Sequence, residues 1–153
     1  MVSVRCSRGR NRRSPHPSAT IVAVSADDSI ATLRRAVSDV SSLNLLVLFG
    51  SRARGDDRSS SDWDFGYLAS SGFDPGRLLA RLVDELNTDR IDLVDLQRAG
   101  ALLRYRAARD GRIVVEIAEG DFARFWFDAV SFWCDMQPVL RRGYDAILAE
   151  LGP

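Results

Sequence analysis

Lysine is absent from these 153 residues, and all 21 basic side chains are arginine. A Walker-type phosphate loop needs a lysine, so that class of nucleotide site is excluded. Histidine occurs once, as His16 near the start of the chain, which removes histidine-based catalysis and metal binding. The two cysteines, Cys6 and Cys134, lie far apart and suggest neither a disulfide framework nor a zinc motif. No apolar run approaches the roughly 20 residues that a membrane helix needs. The first 26 residues lack acids altogether while holding Arg5, Arg8, Arg10, Arg12 and Arg13.

That last absence makes the charge uneven. Formal net charge is zero, yet the chain beyond residue 26 carries 16 arginines against 21 acids. We read the arginine-only usage as codon bias of a GC-rich genome. Residues 1–26 read as a disordered basic tail, rich in Arg, Ser and Pro. A flexible extension or a misplaced start codon is read ahead of a transit peptide, whose composition the tail shares, and Ile21–Val24 is too short for the apolar part of a secretory signal. A cytoplasmic protein is expected, with no membrane association. Clustered arginine attracts phosphate, but direct nucleic-acid binding is not expected.

What is present suffices for one domain with a real core: hydrophobic residues make up 46% and charged residues 27%. A first helix starts near Asp28 or Ser29, with Ile30, Leu33, Val37 and Val40 on one face. Leu45–Phe49 is apolar throughout and reads as a strand buried on both faces. Asp62–Leu68 is a second strand. Asp74 and Pro75 open a helix whose apolar face is Leu78, Leu79, Leu82, Val83 and Leu86. Arg90–Leu96 is a third strand, Ala99–Asp110 a helix stopped at Gly111, and Ile113–Ile117 a short strand. From about Gly120 to Leu151 the chain reads as a long helix or a helix pair broken at Pro138. The fold class is α/β (α+β), a small mixed sheet of about three to five strands flanked by helices. We divide it into a core at 27–118 and a C-terminal helical segment at 119–153.

The chemistry concentrates in Gly50–Asp64, Gly-Ser-Arg-Ala-Arg-Gly-Asp-Asp-Arg-Ser-Ser-Ser-Asp-Trp-Asp. A strand delivers the chain to a tight Gly50-Ser51 turn, a polar loop follows, and a second strand carries two acids. Strand side chains alternate, so Asp62 and Asp64 share a face while Trp63, Phe65 and Tyr67 point to a core. Two adjacent carboxylates repel, and divalent cations bridging a nucleoside triphosphate remove that penalty. The turn offers backbone N–H groups and a hydroxyl, and Arg52, Arg54 and Arg58 lie close by. Gly55 suits a turn. Asp92 is an acid inside an otherwise apolar strand, where it is costly unless something offsets it.

Gly50-Ser51, ten residues and then Asp62-Trp63-Asp64 resembles the signature of the polymerase-β-like nucleotidyltransferase superfamily. Gly-Ser-Arg-Ala-Arg-Gly resembles its minimal nucleotidyltransferases, commonly antitoxins of HEPN/MNT toxin–antitoxin modules. Leu102-Leu103-Arg104-Tyr105-Arg106 and Gly111–Glu116 extend the likeness over roughly residues 28–150. The resemblance implies two magnesium ions on Asp62, Asp64 and a third carboxylate, for which Asp92 stands in the matching place and Asp95 is the reserve. It implies ATP as substrate, gripped by Gly50, Ser51, Arg52 and Arg54. It implies AMP transfer to a tyrosine hydroxyl of a HEPN-domain toxin. An antitoxin that only binds, and a nucleotidyltransferase acting on a small-molecule hydroxyl such as an aminoglycoside, are the alternatives. Arg104 and Tyr105 belong either to the site or to packing.

Seven of the 13 aromatic residues fall between Phe122 and Tyr144. Phe122, Phe125, Trp126, Ala129, Val130 and Trp133 are spaced as one helical face. Phe127 and Phe132 lie outside that stripe, which suggests a surface for another chain beside the ordinary packing role.

Overall fold

A computed structural model describes residues 26–56, 58 and 61–151. The expected tail over 1–26 lies, Ala26 apart, outside the described residues. The elements run α1 (Ala26–Ala36), β1 (Leu43–Phe49), α2 (Gly50–Arg54), β2 (Trp63–Ala69), α3 (Pro75–Leu86), β3 (Ile91–Asp95), α4 (Ala101–Asp110), β4 (Arg112–Glu116) and α5 (Asp121–Leu151). The sheet is mixed, with order β3-β2-β1-β4. β1 is antiparallel to β2 and β4, and β2 is parallel to β3. A parallel pair cannot be joined by a hairpin, so α3 makes the crossover.

β1 is a central strand because its apolar run can be buried on both faces. Leu46 and Leu48 join a cluster with Leu33, Val37, Phe65, Leu78 and Leu82, beneath α1 and α3. Leu45, Val47 and Phe49 join another with Leu96, Ala107, Ala108, Phe125 and Ala129, beneath α4 and α5. Each such side chain contributes on the order of 1.5–3 kcal/mol by leaving water. α3 starts as its sequence dictates, with the Asp74 carboxylate accepting from the Gly76 N–H at 2.9 Å and Pro75 in the first turn. Arg77 donates to Asp39 at 2.9 Å and Arg81 donates to the same carboxylate, tying the turn after α1 to α3.

One expectation is corrected and two are made specific. The stretch read as a tight turn and polar loop begins as the five-residue helix α2. Gly50 turns the chain at φ +75°, and Gly55 closes the helix at φ +77° with its N–H on the Ser51 carbonyl. The C-terminal segment is one helix of 31 residues that runs through Pro138. Pro138 and Cys134 are both exposed there, so the carbonyl that loses its helical donor can meet water. Gly111 caps α4 as expected, at φ −66° and so in extended backbone. Its reason is close packing, since a Cβ would stand 2.1 Å from the Ala107 carbonyl oxygen.

On α5, Phe125 and Ala129 are buried, whereas Trp126, assigned by its spacing to the same face, is 46% exposed. No helix among the described residues is long and apolar enough to cross a membrane.

Candidate active site

The parallel ladder between β2 and β3 sets Asp64 directly opposite Asp92. On β2, Trp63, Phe65 and Tyr67 pack into the α1–α3 cluster, as do Ile91 and Leu93 on β3. Alternation therefore turns Asp64 and Asp92 to the other face, the face of Phe49 and Leu96. Both carboxylates are half-buried. Burial pushes the Asp64 pKa above its ordinary value, and the negative charges of Asp92 and Asp62 push it further. Arg54 and Arg52 oppose this from α2.

Gly50 holds the other side of Asp64. Phe49 pairs with Asp64 across β1 and β2, which places the next residue against the carboxylate. A Cβ on Gly50 would lie 2.1 Å from Asp64 Oδ2, and φ +75° disfavours any other residue. The Gly-Ser turn, Asp64 and Asp92 thus follow one another across the ends of β1, β2 and β3.

Asp62 stands just before β2 and is engaged elsewhere: its Oδ1 accepts from Arg90 Nε at 3.0 Å. Arg90 was not foreseen as a partner. The signal lay in the register, because Trp63 pairs with Ile91 and the residues preceding them are Asp62 and Arg90. The Trp63 N–H also donates to the Arg90 carbonyl at 2.9 Å. With Asp62 turned to Arg90, no three acidic, histidine or cysteine side chains among the described residues gather into a ready metal cluster. The facing Asp64 and Asp92, all hard oxygen donors and mutually repelling, suit a divalent cation.

The arginines of α2 are also occupied. Arg52 donates from Nε and Nη2 to the Ser61 carbonyl at 3.2 and 2.7 Å, and its guanidinium lies 4.3 Å from the Trp63 ring centre. It braces the loop entering β2. Arg54 pairs with Asp56 at 3.1 Å and Asp110 at 3.4 Å. Asp110, at the end of α4, is held below the usual carboxylate range chiefly by the Arg109 hydrogen bond, with Arg54 adding to it. The Arg58 N–H donates to Ser61 Oγ at 2.9 Å, within the same loop.

Asp95 does not join the pair. Its side chain accepts from the Gln97 N–H at 2.9 Å and meets Arg98 at 3.6 Å, capping the turn after β3. Tyr105 stacks on Trp133 with ring centres 5.5 Å apart, and Arg104 lies over Phe125 and Phe132. Both therefore serve the α4–α5 packing.

The family model described as Polymerase beta, Nucleotidyltransferase matches residues 32–120. The protein adenylyltransferase MntA of Aphanizomenon flos-aquae is 32% identical over 114 residues, covering 63% of this chain and 75% of that relative. A chain in the crystal structure of a toxin–antitoxin with AMP-PNP has 26% identity and a TM-score of 0.64, covering 82% of this chain and 99% of that one. A chain of an MntA–HepT toxin–antitoxin structure has 25% identity and a TM-score of 0.58, covering 80% of this chain and 97% of that one.

Proposed function

The chain belongs to the polymerase β nucleotidyltransferase family, and from that premise we propose that it is a cytoplasmic antitoxin that transfers AMP from ATP to a tyrosine hydroxyl of a HEPN toxin. The observation that carries this is Asp64 set opposite Asp92 with Gly50 packed against the Asp64 carboxylate. The adenylyltransferase named among its relatives and the toxin–antitoxin complexes among its structural neighbours support the reading.

The Gly50-Ser51 backbone and the Ser51 hydroxyl hold the triphosphate. Arg52 and Arg54, whose charges reach Asp64, supply the positive field that draws it in. Asp64 and Asp92, joined by Asp62, would hold magnesium, which when bound would offset the phosphate charge and acidify the acceptor hydroxyl. The tyrosine oxygen forms a bond to the α-phosphorus as the bond to pyrophosphate breaks. Pyrophosphate leaves with the electron pair, and Asp92 takes the phenolic proton. Positioning and charge balance do most of the work.

In this reading residues 27–118 carry the chemistry and 119–153 meet the toxin. Trp126, Phe127, Val139 and Leu140, all exposed on α5, offer apolar contact. The test is pyrophosphate release from ATP and magnesium in the presence of a HEPN toxin. Toxin-dependent release that disappears in Asp64→Ala supports AMP transfer. A tight complex with no release, for wild type and variant alike, means an antitoxin acting by binding alone.

A further inference from the structure

Helix α5 outruns its packing. It has 31 residues and α4 has ten, about 46 Å against about 15 Å at the rise of a helix. Its apolar stripe does not stop where its cover does. Phe125 and Ala129 are buried in the cluster beneath α4 and α5. Phe132, Met136, Val139 and Leu140 then follow at i, i+4, i+7 and i+8, the spacing of one helical face. Phe132 lies seven residues after Phe125, so this face continues the buried one. Here it is open: Phe132 is 37%, Val139 50% and Leu140 37% exposed.

Arg104 stands at the junction. Its guanidinium lies 6.0 Å from the ring centre of the buried Phe125 and 5.5 Å from that of Phe132, the first exposed member of the stripe. It makes no ion pair among the described residues. Its Nε is buried and has no hydrogen-bond acceptor among them. Ring faces attract the charge, but they do not replace an oxygen acceptor for its donors. A buried donor left unpaired costs free energy in the chain alone. A carboxylate matches a guanidinium in charge and in paired geometry.

We propose that Arg104 anchors the toxin by receiving one of its acidic side chains, while apolar residues beside that acid lie along Phe132, Met136, Val139 and Leu140. The inference rests on the antitoxin reading above, and adds where on α5 the partner sits and which charge it brings. An arginine held between rings at the edge of an apolar surface is the kind of residue that dominates an interface.

The experiment measures the affinity of a HEPN toxin for wild type, Arg104→Met, Val139→Asp and, as a control on an exposed arginine of the same helix α4, Arg106→Met. Each variant's Tm and its affinity for AMP-PNP with magnesium are measured beside it. Methionine fills the place over the rings without charge or donors. The expected result is a loss of toxin affinity of at least about ten-fold for Arg104→Met and Val139→Asp, with AMP-PNP affinity within about two-fold of wild type. Arg106→Met should bind toxin as wild type does. The Tm of Arg104→Met should stay level or rise, because an unpaired buried donor has been removed. A Tm that falls together with toxin affinity would make Arg104 a packing residue and overturn the proposal. Unchanged toxin affinity in Arg104→Met would overturn it too, as would a parallel loss of AMP-PNP affinity, which assigns Arg104 to the nucleotide site. Val139→Asp changes an exposed position and tests the stripe even if Arg104→Met fails to fold; unchanged toxin affinity there removes the surface. Wild type that binds no toxin overturns the antitoxin reading itself, and the proposal falls with it.

Discussion

Asp39, in the turn after α1, accepts from both Arg77 and Arg81, and those hydrogen bonds lower its pKa. Asp64, on β2, faces another acid and has its pKa raised by burial and by Asp92 and Asp62. Neither Asp64 nor Asp92 makes an ion pair among the described residues. The same side chain thus has two ion-pair partners where it joins two helices, and where two strands meet it has none and is opposed only by the more distant charges of Arg54 and Arg52. An acid that only supports a fold finds a cation within the chain. A half-buried pair without one marks a candidate functional site.

Breaking the facing pair should have the largest effect. Asp64→Ala should lower AMP transfer by on the order of 1,000-fold, measured as AMP incorporated into toxin, whereas Asp39→Ala should leave it within about two-fold. Gly50→Ala comes next. Its Cβ collides with Asp64 and its backbone is left-handed, so about 1–3 kcal/mol of stability should be lost in denaturant titration, with most of the transfer activity. Arg52→Ala removes the loop brace on Ser61 and Trp63 and should cost about 1–2 kcal/mol in the same titration.

The smallest effect sharpens the comparison most. A carboxylate whose folded pKa is raised destabilises the fold once pH climbs past its unfolded value, because the folded state resists ionisation. Asp64→Asn should therefore raise the Tm by a few degrees at neutral pH, with the gain fading as pH falls below the ordinary value of 3.8. For Asp39, whose pKa is lowered, the sign reverses: Asp39→Asn should cost stability at neutral pH, and that difference should vanish in acid. Magnesium with AMP-PNP should stabilise the wild type more than Asp64→Asn.

Much of this arrangement was legible in the chain. The unbroken apolar run of β1 announced a central strand, and Asp74-Pro75 announced the start of α3. The alternation on β2 turned Asp64 away from Trp63, Phe65 and Tyr67, and the resemblance singled out Asp92, but that Asp64 stands opposite Asp92 comes from the register of the two strands. Other features depend on register and tertiary distance, which periodicity does not encode. Arg90 reaches Asp62 only because β2 and β3 pair in parallel with Trp63 against Ile91. Arg52 was read as a phosphate ligand by its nearness in sequence, yet the loop folds its Ser61 carbonyl back onto the guanidinium. The helix α2 escaped notice because five polar and small residues carry no apolar period. The aromatic face of α5 was misjudged at Trp126, since α4 and the sheet cover a narrower stripe than the spacing offers.

The most direct test is the intact mass of a HEPN toxin after incubation with ATP, magnesium and either wild type or the near-isosteric Asp92→Asn. The account predicts added AMP with wild type and none with a folded Asp92→Asn. Equal AMP addition by both would contradict the assignment of the facing carboxylates as the centre of the chemistry.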